Sequence, residues 1–346
     1  MTGFIESFLG AGMITTLLVI LIQIAIVLVA TLLHVAYATY VERKVIGHMQ
    51  VRLGPREVGP YGLLQPIADG IKLLFKEDII PEKADKPLFY ISPMIFFVAA
   101  ITSLSVIPFF AYDSKIAVIS NINIGVLFLF AMSSLAAYGI VIAGWASDSK
   151  YAFFGGMRAA AQVISYEIAM GLSLVGVMIM AGSLNLTEIV QAQQNHWFVL
   201  PQILGFFVFV VAAFAETNRL PFDMPEAESE LVAGYFTEYS GFRFALFFLG
   251  EYTGMYVMSS ISAICFLGGW TIPQFILSAI PILSIIPGVV WFLIKVYAFM
   301  FFYYWIRATL PRYRYDQLMA IGWKVLIPLA LLNIVITGFL KITGIL

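Results

Sequence analysis

Eight stretches of about twenty mainly apolar residues recur along the 346-residue chain, and they limit its fold more than any other feature. A run of that length is what a helix needs to cross the ~30 Å hydrocarbon core of a bilayer. The runs fall at residues 13–38, 89–111, 122–146, 157–181, 197–215, 242–268, 287–307 and 323–340. Lipid offers the backbone no hydrogen bonds, so such segments must be helices that satisfy their own N–H and C=O groups. The predicted fold is all-α, a single membrane domain with eight transmembrane helices. Composition agrees: 61% of residues are hydrophobic and 11% charged, against about 45–50% and 25% in a soluble chain. The first run lacks a basic flank and a small-residue cleavage site, so it reads as a retained helix and not a leader peptide.

Several function classes drop out early. A net charge of −1 lacks the basic face that nucleic acid requires. The single cysteine, Cys265, excludes a disulfide within the chain and an iron–sulfur cluster held by this chain alone. Of the three histidines, only His34 lies inside an apolar run, which argues against a bis-histidine haem in the bilayer. No internal repeat is visible, and that weakens an ordinary transporter reading.

Orientation follows from Lys and Arg. Sixteen of the 19 lie in, or border, the loops joining spans one to two, three to four, five to six and seven to eight. Those loops should face the cytoplasm and both termini the outer side, with a bacterial inner membrane as the expected location. In the first loop, residues 60–77 read as an amphipathic helix in the interface plane. Leu63, Leu64, Ile67, Ile71, Leu74 and Phe75 share one face, with Gln65, Asp69, Lys72 and Lys76 on the other. A helix packed on a partner protein is the alternative. Overlapping its start, Gly54, Pro55, Gly59, Pro60, Gly62 and Pro66 of residues 52–66 predict a rigid, tightly turned loop, unless they only punctuate a linker.

Ionisable residues inside apolar runs are costly, by about 2.5–3.5 kcal/mol each even on the mildest scale, so each demands a reason. Glu167, Glu216, Glu251 and Lys295 are the cases here. A buried ion pair, such as a glutamate with Lys295, would explain one of them but not the set. The densest group follows span five, in the acidic loop 216–241. Its segment AETNRLPFDMPEAESELVAGYFTEY carries Glu216, Asp223, Glu226, Glu228, Glu230 and Glu238 against Arg219. Pro221 and Pro225 make this a bent loop. A solvated acidic face is the plain alternative. The adjoining spans favour a cluster that holds fewer charges than carboxylates.

The block TYVERKVIGHMQVRLGPREVGPYGLLQPIADGIKLLFKEDIIPEKADKPLFYISP, residues 39–93, resembles the long first loop of the quinone-site membrane subunit of respiratory complex I. AETNRLPFDMPEAESELVAGY and FFLGEY extend the resemblance, which covers essentially the whole chain. It implies a subunit of a proton-translocating NADH:quinone oxidoreductase that is not catalytic alone. Quinone would enter from the bilayer between the first and sixth spans and the amphipathic helix. NADH, FMN and the iron–sulfur clusters would sit on peripheral-arm partner subunits, and the other partners would be proton-pumping membrane subunits. By matching position, Glu42, Arg43, Arg52, Asp69 and Lys72 would line the quinone tunnel. Glu77, Glu167, Glu216, Asp223, Glu226, Glu228, Glu230 and Glu251 would form an acidic proton path, with Arg219 as counter-charge. Arg312 and Arg314 would touch the peripheral arm, unless they are plain positive-inside anchors. Rival readings are the equivalent subunit of an energy-converting hydrogenase, an independent ion transporter, and a purely structural anchor.

Overall fold

The computed structural model describes residues 13–112, 115–224, 232–274, 278 and 281–344. Among these residues helices dominate. They are α1 (Met13–Met49), α2 (Gln65–Phe75), α3 (Lys86–Ser103), α4 (Gly125–Ala146), α5 (Lys150–Ala181) and α6 (Leu186–Ala192). Then come α7 (Ile203–Glu216), α8 (Gly241–Leu267), α9 (Gly288–Thr309), α10 (Tyr315–Ile321) and α11 (Ile327–Ile342). One feature departs from the all-α expectation. Phe110–Tyr112 (β1) and Lys115–Ala117 (β2) pair antiparallel, where the second apolar run was expected to remain helical to 111. Helix α3 ends sooner because a short 3-10 turn, Leu104–Val106, leads into Pro108, which cannot continue a helical hydrogen-bond ladder.

Among the described residues, six helical stretches are long and apolar enough to cross a membrane: Ile20–Met49, Lys86–Val106, Gly125–Ala146, Lys150–Ala181, Gly288–Thr309 and Tyr315–Ile342. The fifth and sixth expected spans fall outside that set. Helix α7 has 14 residues, a length of about 21 Å, because residues 197–202 form turns. Gln202 is there drawn into a buried network, donating to Thr337 Oγ1 (2.6 Å) and accepting from Asn333 Nδ2 (2.7 Å) on α11. Helix α8 has 27 residues but carries Arg243, Glu251 and several serines. Most of its residues are buried, so its polar groups face protein and not lipid. The last span starts earlier than expected. A π-helical segment, Gly322–Leu326, joins α10 to α11 in one stretch, with Tyr166 of α5 donating to Leu318 O (2.9 Å) beside it.

The main core gathers side chains of α5, α7, α8, α9 and α11. A second core joins α3, α4 and α8 through Phe89, Ile140, Tyr239 and Phe247, with Phe89 and Tyr239 stacked 4.1 Å apart. Outward faces of the long helices remain apolar and exposed, as lipid contact requires. Helix α1 runs well past the expected end at residue 38, which carries Glu42 and Arg43 beyond its apolar part.

The Gly/Pro loop turns tightly back. Gly62 has φ +82°, and a Cβ there would lie 2.3 Å from Pro55 O, so both conformation and space demand glycine. Helix α2 follows and leaves Ile67, Ile71, Leu74 and Phe75 exposed, Phe75 at 87%. Its polar face is fastened to α1: Arg43 pairs with Asp69 at 2.8 Å and Gln65 donates to the same carboxylate at 2.9 Å.

Candidate functional site

The end of α1, the turn after α7, the middle of α8 and the last turn of α9 converge on one buried cluster. Glu42 of α1 is 3% exposed. It accepts from Arg307 of α9, and from the Tyr252 hydroxyl of α8 at 2.7 Å. Arg219 lies between two acids, 3.7 Å from Glu42 and 3.9 Å from Glu251. Its guanidinium also sits 4.2 Å above the Tyr252 ring, a cation–π arrangement. Tyr235 donates to Glu251 at 3.1 Å. Two carboxylates thus face two guanidiniums, which is the condition under which charges tolerate burial. The sequence assigned Glu42 to the tunnel and Glu251 with Arg219 to the proton path. In the fold they form one electrostatic unit. Arg307 was read only as an orientation residue, and nothing local in the sequence ties it to an acid 265 positions away.

A second acidic pair lies across the same interior. Glu216 ends α7, and Glu167 sits in the middle of α5. Two consecutive serines of α4 reach them: Ser133 donates to Glu216, and Ser134 donates to Glu167 at 2.6 Å. A cavity of about 80 Å³ connects Glu216 to the first cluster, with Ser133, Glu216, Thr217, Asn218 and Glu251 among its walls. At about 30 Å³ per water, that volume has room for roughly two to three waters. The remaining walls are mainly aliphatic and aromatic, such as Phe130, Ile140 and Met258.

A third junction lies in the turn after α7. Arg312 donates to Asp223 at 3.1 Å, and Phe222 stacks on Tyr313 at 5.6 Å. Gln162 of α5, fully buried, holds the turn in place by donating to Ala215 O (2.8 Å) and Phe222 O (2.7 Å). Residues expected to serve different surfaces, Asp223 and Arg312, are therefore partners.

Other predicted residues lie apart. Arg52, Lys72 and Glu77 are exposed. Arg314 is exposed and pairs with Asp316 at 3.3 Å. Beside Glu77, Asp78 pairs with Arg243 at 2.9 Å, a buried guanidinium that the sequence alone did not single out. Glu226, Glu228 and Glu230 lie outside the described residues. The ion pair of Lys295 with a glutamate, weighed as the plain alternative, gives way to another arrangement. Its ammonium donates to Leu267 O, Gly269 O and Thr271 O, each at 2.7 Å. Three N–H bonds exhaust the ammonium donors, and their targets cluster at the C-terminus of α8, where the helix dipole is negative.

A wider apolar groove of about 720 Å³ lies between α7 and α9, with Phe206, Phe214, Phe299 and Phe302 in its walls. It does not border the Glu42 cluster. Among the described residues no three of His, Cys, Asp and Glu converge as a metal site. Cys265 is buried in α8.

Known proteins resemble this chain over nearly its whole length. A family model described as NADH dehydrogenase matches residues 22–338. The H subunit of NADH-quinone oxidoreductase from Paramagnetospirillum magneticum is 51% identical over 338 residues, covering 98% of this chain and 95% of the relative. The proteins of the same name from Rhodospirillum rubrum and Rickettsia typhi are 53% identical over 331 residues and 54% identical over 324. They cover 95% and 93% of this chain and 96% and 93% of their own lengths.

Proposed function

Because the chain belongs to the family of NADH-quinone oxidoreductase H subunits, we propose that it couples quinone reduction to proton movement through the Glu42–Arg219–Glu251 cluster. The chain is a membrane subunit of that oxidoreductase and does not catalyse the reaction alone. Its one cysteine could not hold a cluster, so electrons come from iron–sulfur clusters on peripheral-arm subunits, fed by NADH through FMN. This chain supplies the approach from the bilayer and the acidic residues that answer the redox event. Helix α2, with its apolar residues exposed, lies in the interface plane beside the end of α1. Quinone reaches the Glu42 end of α1 past that helix, with Arg43, Asp69, Lys72 and Arg52 along the way.

Quinone reduction consumes protons as well as electrons. A proton taken from near Glu42 leaves an unbalanced charge where the dielectric is low and such a charge is expensive. Balance returns when a proton moves from Glu216 across the cavity, with Glu167 behind it. The acidic loop, including Glu226, Glu228 and Glu230, continues the path towards pumping subunits, and Glu77, Asp223, Arg312 and Arg314 shape its cytoplasmic side. The observation that carries this reading is the cavity walled by both Glu216 and Glu251. Glu251→Gln in the assembled complex tests it. The expected outcome is loss of pumping with slowed quinone reduction, while electron transfer from NADH to a water-soluble acceptor persists. Normal pumping in that variant would remove Glu251 from the path.

A further inference from the structure

Helical serines in this chain usually turn back on their own helix. Ser103, Ser165, Ser173, Ser259, Ser260 and Ser262 each donate to a carbonyl three or four residues earlier. That is the default for a hydroxyl in a helix with no water nearby. Ser133 and Ser134 depart from it. Both lie near the middle of α4, and both donate to carboxylates on other helices. Successive helical residues point about 100° apart, so one turn of α4 reaches α7 through Ser133 and α5 through Ser134. Ser92 also leaves its helix, but for the hydroxyl of Tyr239.

The arrangement treats the oxygens of Glu216 unequally. Ser133 donates to Oε1. Oε2 is buried and has no hydrogen-bond partner among the described residues. A buried oxygen left unsatisfied is costly, and an arriving proton or water would relieve it. Both Ser133 and Glu216 wall the cavity that leads to Glu251.

We propose that Ser133 and Ser134 are positioning residues of the proton path. They pin one oxygen each of Glu216 and Glu167 to a single turn of α4, which leaves Glu216 Oε2 to take and release the moving proton. The step forms an O–H bond at Oε2 and breaks one on a hydrated proton in the cavity. The bond from Ser133 survives it, because the carbonyl oxygen of a protonated carboxyl still accepts. No side chain has to rotate during transfer. This inference rests on the reading that Glu216 carries protons, and its test separates the two.

The experiment uses the assembled complex in proteoliposomes with Glu216→Gln, Ser133→Ala, Ser133→Thr and Ser134→Ala. Protons pumped are measured against electrons delivered to quinone, with NADH oxidation by a water-soluble acceptor as the control for assembly. In S133A and S134A the pumping rate should fall about tenfold, the effect of losing one hydrogen bond to a charged group. S133T, which keeps the hydroxyl, should restore most of it. If E216Q pumps normally, the underlying reading fails and this inference falls with it. If E216Q is impaired but S133A and S134A pump normally, only the serine assignment is overturned. Equal loss in S133A and S133T would mark a packing role and also overturn it.

Discussion

Arg219→Met is the perturbation that asks most of the buried cluster. It removes a cation that stands 3.7 Å from Glu42 and 3.9 Å from Glu251. At an effective dielectric of 20, each of those attractions is about 4 kcal/mol before desolvation is set against it. Breaking a buried pair by deleting one member costs about 3–5 kcal/mol in practice, because the partner is left charged and dry. Glu42 keeps Arg307, so most of the loss falls on Glu251. The single variant should therefore lower the thermal stability of the complex and slow quinone reduction by roughly two to three powers of ten. The double variant Arg219→Met, Glu251→Gln removes the stranded charge together with its partner. Melting followed by differential scanning fluorimetry should show more than half of the stability recovered. Proton pumping should be absent, because the carboxylate proposed to receive the proton is gone. A double variant that pumped like the parent would refute the reasoning, and so would a single variant that melted normally.

Lys295→Met deletes three hydrogen bonds to the end of α8. It should cost about 3–5 kcal/mol at roughly 1.5 kcal/mol per charged bond, seen as a lower melting temperature with protons per electron unchanged. Asp223→Asn should cost only about 1 kcal/mol, since Arg312 is 31% exposed and water screens the pair. Faster hydrogen exchange in residues 219–224 would report it. Burial pushes the Tyr239 hydroxyl, in the turn before α8, from 10.0 up to about 12, against the opposing influence of the neighbouring Ser92 and Ser147 hydroxyls and the charge of Arg243. Its folded form keeps the proton longer than its unfolded form. Stability should thus be intact below pH 10 and fall as pH rises towards about 12, and Tyr239→Phe should flatten that fall in pH-dependent melts.

Apolar run length was enough to place the long helices, because lipid leaves the backbone no alternative to internal hydrogen bonding. It misjudged α7, where Gln202 leaves the expected span for a side-chain network with Asn333 and Thr337. It counted α8 as a sixth span and flagged Glu251 within it, but could not show that most of this helix, Arg243 included, is buried in protein. The site was legible as a set of acids and bases, yet their pairing was not. Glu42 and Arg307 are 265 residues apart, and no local pattern joins them. The partners of Lys295 were invisible for another reason: they are backbone carbonyls, which every residue has. Ser133 and Ser134 look like routine small residues in an apolar run. Only their side-chain directions distinguish them from the serines that bond to their own helix.

Infrared difference spectra of the reconstituted complex, taken between oxidised and quinol-reduced states, test the proton path most directly. A protonated-carboxyl stretching band should appear or vanish with the redox change and shift on exchange into heavy water. In Glu216→Gln that band should be missing while the quinone bands remain. An identical carboxyl band in the variant would mean that Glu216 holds its proton state throughout, and the proposed route between quinone and pump would be wrong.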